Sequence, residues 1–236
     1  MKKTLLTLAL ALAAGGAQAI SMTALLDDGS ITVGDKLFSN WSEVYFDSSD
    51  PARTVDTDNI DVVGIDDGGD YGLRFSISNG EFNVTGDGLY AYLDYSFGFS
   101  VTVLNPNLRI KDNSLKLIQG TNQATGDNGF YILENIGAEA EGDDLGTKEV
   151  EFSFLDASLG GPGLIQELSD SAEFLPQSEI WVTKNILVWA TGQAETASLQ
   201  GFEQRFSQTG VPEPSILGLL GLGLAGLGFA RMRRKA

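Results

Sequence analysis

One segment near the middle of the chain alternates apolar and polar side chains without a break over eleven residues. The apolar positions are Leu93, Tyr95, Phe97, Phe99, Val101 and Val103, and polar or small residues lie between them. Side chains of a β-strand point to opposite faces with a period of two, so this pattern predicts a long strand with one buried face. Such a strand needs partners in its sheet and a second layer that covers its apolar side.

Shorter alternating segments follow the same rule and are separated by turn-forming residues: 73–78, 149–154, 180–183 and 186–189. The pair Asn79-Gly80 predicts a two-residue hairpin between Ile77 and Phe82. Apolar residues at helical spacing within 164–172 predict one short helix. The overall pattern predicts an all-β fold, an antiparallel two-sheet β-sandwich of either the jelly-roll or the Ig-like kind.

The chain contains no cysteine and no histidine. This excludes disulfides, zinc sites built from Cys or His, and the Ser-His-Asp and Cys-His catalytic arrangements. A carboxylate pair of the glycosidase type needs neither residue, and Glu149 and Glu151 lie on one face of a predicted strand, roughly 7 Å apart at Cα. Their alternation with apolar residues places them on the solvent face, where nothing is expected to raise the pKa of an acid catalyst. We therefore expect no enzymatic activity.

The chain has 15 basic and 32 acidic residues, a net charge of −17. Six of the basic residues but only one acidic residue lie in 1–19 and 212–236, which leaves 9 basic and 31 acidic residues and a net charge of −22 for the segment between. A surface this acidic argues against nucleic acid as a partner, because phosphate recognition requires a basic face.

The N-terminal residues have the three parts of a secretory signal peptide. Lys2 and Lys3 precede an apolar run over 5–14, and Ala17 and Ala19 form an A-x-A site for signal peptidase. We expect cleavage after Ala19 and export of the segment that follows.

The C-terminal residues carry a second signal. Pro212, Glu213 and Pro214 precede 16 uncharged residues over 215–230, and a basic cluster follows: Arg231, Arg233, Arg234 and Lys235. A helix of that length covers about 24 Å, somewhat less than the roughly 30 Å hydrocarbon core, and basic side chains at its end can snorkel to the interface. The pattern predicts a single transmembrane helix with a stop-transfer cluster.

The order of motif, apolar span and basic cluster over 212–236 resembles the PEP-CTERM sorting signal of bacterial exported proteins. The resemblance implies recognition by an exosortase, a membrane-embedded enzyme similar to cysteine transpeptidases, and a final location at the cell surface or outside it. It also implies a structural or adhesive role in an extracellular matrix or biofilm. The predicted organisation is a signal peptide over 1–19, a sandwich body over 20–206, a tether over 207–211 and the sorting signal over 212–236.

Two ligands are open for the body. Asp66, Asp67 and Asp70 form an acidic loop that can offer oxygen ligands to calcium, although the spacing does not match an EF-hand and aspartate is also a common turn former. The candidates for a carbohydrate-binding platform are aromatic residues: Trp41, Trp181, Trp189, Tyr71, Tyr90, Tyr92 and Tyr95. Tyr92 is notable because its position has the parity of the polar residues in 93–103, not that of the apolar ones.

Overall fold

The computed structural model describes residues 18–123 and 125–211. Its elements in chain order are β1 (Ile20–Ser21), α1 (Met22–Leu26), β2 (Ile31–Val33), β3 (Lys36–Ser48), β4 (Ile60–Ile65), β5 (Tyr71–Ile77), β6 (Asn83–Thr85), β7 (Ala91–Val103), β8 (Leu108–Thr121), β9 (Asn128–Gly137), β10 (Gly146–Leu155), β11 (Gly163–Glu167), β12 (Ser169–Gln177), β13 (Glu179–Ala190) and β14 (Thr196–Gly210), with short 3₁₀ turns at Thr57–Asn59 and Ala157–Leu159.

The strands form two antiparallel sheets of seven strands each. The first sheet has the order β1-β4-β5-β14-β8-β12, with β6 also paired to β14, and the second has the order β11-β10-β9-β13-β7-β3-β2. The predicted all-β, two-sheet sandwich is confirmed.

The alternating segment that predicted a long strand lies in β7, between β13 and β3 in the second sheet. Its inward residues are buried, with Tyr95 and Phe99 both at 0% exposure. Phe75 and Phe202 of the first sheet stack with ring centroids 4.5 Å apart, and Phe75 also contacts Phe97 of β7 at 5.7 Å. The aromatic residues of both sheets therefore form one continuous core.

Trp41 enters this core through an irregularity in β3. Ser39 pairs with Ser100 and Ser42 with Gly98, so β3 contains one extra residue at this point, and Asn40 has a positive φ of 56°. In a regular strand Trp41 would face away from the core, because Phe38 already faces inward. The extra residue reverses the direction, as a β-bulge does, and leaves Trp41 with 7% exposure.

Three expectations about local structure were wrong. Residues 163–167 and 169–177 are strands and not a helix, because they pair with the backbone groups at the edges of β10 and β8. A helix would have needed a buried apolar face, but Leu164 and Leu168 are 53% and 45% exposed. The turn at Asn79-Gly80 exists, with both φ values positive, but it forms no hairpin, since β5 and β6 both pair with β14. Residues 207–210 are not a tether, because β14 continues to Gly210 alongside β8.

The core also contains charged side chains. Glu134 of β9, Lys148 of β10 and Lys184 of β13 point inward from the second sheet and are 0%, 2% and 0% exposed. They meet Asn113 of β8 and Gln204 of β14, both fully buried in the first sheet. We call these five residues the buried polar cluster. It links the two sheets through polar contacts.

Candidate functional site

The outer face of the second sheet is the part of the described structure that combines exposed aromatic rings with carboxylates. Outward residues of β7 alternate with the buried ones, and the register pairs Tyr92 with Trp189 of β13 and Asp94 with Asp47 of β3. Tyr131 of β9 also points outward beside Trp189, as its pairing with Leu187 shows. We call the following set the aromatic–carboxylate face: Tyr45, Asp47, Tyr90, Tyr92, Asp94, Tyr131, Asn185 and Trp189.

The rings of this face are close to one another and partly open to solvent. The Tyr90 and Tyr92 centroids lie 5.5 Å apart, and those of Tyr131 and Trp189 lie 6.1 Å apart. Tyr45 and Tyr90 are 50% and 49% exposed, so about half of each side chain is available to a ligand. Trp189 is largely covered and supports the ring beside it.

Hydrogen bonds fix the polar groups between the rings. The Tyr92 hydroxyl donates to Asp47 Oδ2 at 2.8 Å. The Asn185 side-chain amide donates to Asp94 Oδ1 at 2.5 Å and to Ser96 Oγ at 2.8 Å. The second oxygen of Asp47, Oδ1, accepts from the Ser48 amide at 2.9 Å, so both oxygens of this carboxylate are engaged. Among the described residues only Oδ1 of Asp94 accepts a hydrogen bond, which leaves its Oδ2 for a ligand hydroxyl.

The electrostatics of the face follow from partial burial and from neighbouring like charges. Burial raises the pKa of Asp94, and the charge of Asp47 adds to this effect against the hydrogen bond from Asn185. The hydrogen bond to Asp47 raises the pKa of Tyr92, and the charge of the same carboxylate raises that of Tyr45. The tyrosine hydroxyls thus stay protonated and can act as donors at neutral pH.

A second acidic group lies on the same side of the sheet, on β10. Glu149 is exposed and Glu151 is half-buried, and their register with Leu133 and Tyr131 confirms that both point outward. The expectation that nothing raises the pKa of an acid here was wrong. Partial burial, together with the charges of Glu151, Glu167 and Asp170, raises the pKa of Glu149.

The other aromatic candidates lie elsewhere. Trp41 and Tyr95 are core residues, and Tyr71 lies beneath Lys36, whose Nζ is 4.9 Å from the ring centroid. Trp181 is half-buried and points outward at the far end of β13, opposite Ser100. Sequence reasoning missed Tyr45 and Tyr131, because only the register between strands places them beside Tyr92 and Trp189.

The acidic loop between β4 and β5 is occupied with local contacts. Asp66 Oδ1 accepts a hydrogen bond from the Gly69 amide at 3.0 Å, and Asp67 Oδ2 lies 3.9 Å from Arg205 Nη1. Arg205 also donates to the backbone carbonyl of Asp70 at 3.5 Å. Over residues 18–123 and 125–211 no group of three or more acidic side chains is placed to hold a metal ion. Calcium binding by Asp66, Asp67 and Asp70 stays a prediction without geometric support.

A cleft of about 320 Å³ also opens at one end of the sandwich, where β8 leaves β12. Its lining is Leu117, Ile118, Gln119, Gly120, Phe130, Phe152, Gln166 and Leu168. No charged residue is among these lining residues, and the two glutamines are the side chains that could hydrogen-bond a polar ligand. The cleft is therefore less suited to a polyhydroxylated ligand than the aromatic–carboxylate face.

Most of the predicted sorting residues fall outside the described ranges. This applies to Ala17, to Pro212, Glu213 and Pro214, to the span over 215–230 and to the basic cluster from Arg231 to Lys235, whereas Ala19 is described and exposed. Among the described residues no helix has both the length and the apolar character needed to cross a bilayer.

Comparisons with solved structures return distant likenesses. A carbohydrate-binding module, TmCBM61 in complex with β-1,4-galactotriose, is 14% identical, with 73% of this chain and 90% of the module covered and a TM-score of 0.27. Endoglucanase 3 of family GH12 from Trichoderma harzianum is 10% identical over 71% of this chain and 97% of the enzyme, with a TM-score of 0.23. CBM32-3 from a family 31 glycoside hydrolase of Clostridium perfringens is 9% identical over 68% and 91%, with a TM-score of 0.20. Likenesses this distant carry no argument about ligand or activity.

No curated protein matches the chain. A family match is found at the C-terminal residues, where 210–235 fit the family described as PEP-CTERM protein-sorting motif. The match covers the three parts recognised in the sequence: the Pro-Glu-Pro residues, the apolar span and the basic cluster. The chain therefore carries a PEP-CTERM protein-sorting motif, joined to an all-β sandwich body.

Proposed function

We propose that this chain is exported, sorted to the cell surface through its C-terminal motif, and there binds polysaccharide through the aromatic–carboxylate face without catalysing a reaction. The sorting half of the proposal is supported by the match of 210–235 to the PEP-CTERM motif, which implies exosortase processing of an exported protein. The binding half is supported by one observation, the grouping of exposed rings and carboxylates on one sheet face. Such a protein would have a structural or adhesive role in an extracellular matrix.

The chemistry of the face suits a sugar. Aromatic rings present flat apolar surfaces on which the C–H faces of a pyranose can pack, and the adjacent carboxylates and amide can bond its hydroxyls. Asp94 lies opposite Asp47 in the sheet, and Asp47 bonds the Tyr92 hydroxyl, so the carboxylate of Asp94 is on the same face as the rings. Rings and hydrogen-bonding groups are thus available to the same ligand.

The charge of the protein narrows the class of polysaccharide. The segment 20–211 has a net charge of −22, and the face itself contains Asp47 and Asp94. A polyanion such as a uronic-acid polymer would be repelled, both at long range and at the site. We therefore expect preference for a neutral polysaccharide.

Replacing Tyr45 and Tyr90 with alanine is expected to reduce affinity for the bound glycan by about tenfold per ring, which corresponds to about 1.4 kcal/mol each. Both side chains are about half exposed, so their removal should leave the fold intact. The measurement is titration calorimetry on the glycan that the purified protein selects from a panel of neutral and uronic-acid polymers.

Leu175→Ala is the matched control, because Leu175 is 80% exposed on β12 of the other sheet. Like the tyrosine variants, this substitution removes an exposed apolar surface, but it does so away from the aromatic–carboxylate face. If Leu175→Ala weakens glycan binding as much as the tyrosine variants, or if the panel contains no ligand at all, the face is not the binding site.

We further propose that Glu149 and Glu151 take no part in hydrolysis. They are two residues apart on one strand and point the same way, so they lie side by side on an open sheet face. A glycosidase needs two carboxyl groups on opposite sides of the bond that it cleaves. Release of reducing sugar from the bound glycan, abolished by Glu149→Gln, would contradict this proposal.

Neutral replacement of Arg231, Arg233, Arg234 and Lys235 is expected to prevent normal sorting. Lys and Arg next to a membrane span favour the cytoplasmic side, so the cluster is expected to hold the end of the span there. We expect unprocessed or mislocalised protein, measured by surface labelling and by the apparent mass of the chain in cell fractions.

The control keeps the charge. Substituting lysine at the three arginine positions should leave sorting intact, because stop-transfer depends on positive charge and not on the guanidinium group. Normal surface display of the neutral variant would refute the assignment of these residues.

A further inference from the structure

The buried polar cluster joins the two sheets at their centre. Lys148 pairs directly with Glu134 across β10 and β9, and Lys184 pairs with Glu134 across β13 and β9. The three side chains thus stand in a row on the inner face of the second sheet. Asn113 reaches them from β8 of the opposite sheet. The four residues are between 0% and 2% exposed, so no bulk water reaches them.

The contacts within the cluster bring an amine, an amide and a carboxylate together. Lys148 Nζ lies 2.5 Å from Asn113 Oδ1 and 2.6 Å from Glu134 Oε1. Asn113 Nδ2 donates to the same oxygen, Glu134 Oε1, at 2.7 Å. One carboxylate oxygen therefore contacts both the amine nitrogen of Lys148 and the amide nitrogen of Asn113.

These contacts bring together the three groups that acyl transfer from the asparagine to the lysine needs. The amine touches the carboxamide whose carbon it would attack, and the carboxylate can accept a proton from the attacking nitrogen and deliver it to the departing one. Proximity in a rigid site turns this reaction between two unreactive groups into an intramolecular step.

The surroundings favour the neutral amine that the reaction requires. Burial lowers the pKa of Lys148, against the opposing effect of Glu134. Lys184 bonds the other oxygen of the same carboxylate, and burial lowers its pKa to about 8. Two buried lysines share one carboxylate, so the loss of one proton from the pair relieves an excess positive charge. Exclusion of water also prevents hydrolysis of the acyl group.

We propose that Lys148 and Asn113 form an intramolecular isopeptide bond that ties the two sheets together, with Glu134 as the catalytic proton-transfer group. The neutral Nζ of Lys148 attacks Cγ of Asn113 and forms the new C–N bond. Glu134 takes a proton from Nζ and passes it to Nδ2, the Cγ–Nδ2 bond breaks, and ammonia leaves. One primary amine and one primary amide become one secondary amide and one ammonia, with no change of oxidation state.

Such a bond would serve an exported protein of this composition. The chain has no cysteine, so a disulfide cannot link its sheets. An amide between β8 and β10 closes the chain over 113–148 and resists both reduction and strand separation.

Two other buried lysines provide internal comparisons. Lys36 Nζ lies 2.8 Å from Gln208 Oε1 and 3.3 Å from Asp35 Oδ1, but within the described residues no hydrogen bond connects that amide to the carboxylate. Lys184 contacts Glu134, and among the residues that the structure describes it bonds no side-chain amide. Both lack the arrangement seen at Lys148 and are expected to remain free amines.

Peptide mass spectrometry of the full chain, denatured and digested with trypsin, tests the proposal. Trypsin cleaves the chain after a lysine with a free amine but not after a cross-linked one. The expected product is therefore peptide 112–116 joined to peptide 117–184, which remains uncut after Lys148. Its mass should be lower than the sum of the two peptides by one ammonia. A free 112–116 peptide and complete cleavage after Lys148 would overturn the proposal, whatever the behaviour of any variant.

Four variants assign the roles. Asn113→Asp should give the same branched peptide, because loss of water from an aspartate produces the identical amide. Lys148→Met should abolish it, Lys184→Met should retain it, and Glu134→Gln should strongly reduce it in protein that is folded by near-ultraviolet circular dichroism. A link formed through Lys184 or Lys36, or full cross-linking in folded Glu134→Gln, would contradict the assignment.

Discussion

Replacing Glu134 with alanine in a Lys148→Met background is expected to lower the free energy of unfolding by about 3–5 kcal/mol. The background removes the amine that we propose to be cross-linked, so the loss of Glu134 then affects Lys184 and the buried amides of Asn113 and Gln204, which donate to the same carboxylate. Glu134 is fully buried, and although burial by itself raises its pKa, the two lysines hold the pKa below its ordinary value. Without the carboxylate, the ammonium of Lys184 is left buried without its partner.

The compensating variant distinguishes an unpaired charge from a simple cavity. Adding Lys184→Met to Glu134→Ala removes the orphaned ammonium, and the resulting chain should regain much of the lost stability, because an apolar pair can replace a buried ion pair at little cost. Denaturant unfolding of the four chains of this cycle measures the coupling. If the double variant is no more stable than Glu134→Ala, the ion pair is not the origin of the effect.

Trp41→Ala is expected to destabilise the protein by about 3–5 kcal/mol, the range seen when a large aromatic side chain is removed from a core. The Trp41 ring stacks on Phe99 with centroids 4.4 Å apart and lies 6.3 Å from Phe75 of the opposite sheet. Its indole N–H donates to the Phe38 carbonyl at 3.4 Å. Removal leaves a cavity between the two sheets.

Trp41→Phe provides the comparison for this prediction. It keeps most of the ring volume and loses the hydrogen bond, so its cost should be well below that of alanine. Urea unfolding monitored by far-ultraviolet circular dichroism gives both values. A loss of less than about 1 kcal/mol for Trp41→Ala would show that this side chain is not part of the core.

The sequence predicted the β-fold where the alternation was strict. Leu93 to Val103 could be assigned to a strand because all five residues between its six apolar positions are polar or glycine, and that strand is present in β7. The segment 164–172 was assigned wrongly, because its spacing is compatible with one turn of helix and the free edges of β10 and β8 are not visible in a local pattern. Pairing in the sheet overrode local preference.

The buried polar cluster left a signal in the sequence that periodicity alone could not interpret. Lys184 occupies an inward position of β13 between Val182 and Ile186, and Glu134 occupies an inward position of β9 between Ile132 and Ile136. A charged residue at such a position indicates a buried polar site but not its partner. Asn113 and Lys148 meet there through register and sheet packing across 35 residues of chain.

The sequence by itself determined the sheet-forming alternation, the chemistry excluded by the absence of Cys and His, and the sorting motif at 210–235, because each depends on neighbouring residues or on composition. The tertiary structure alone decided that Tyr45, Tyr92 and Trp189 share one outer face and that Trp41 turns inward at a bulge. It also decided that an amine, an amide and a carboxylate meet in the core. These juxtapositions depend on strand register and sheet packing, which bring together residues far apart in the chain.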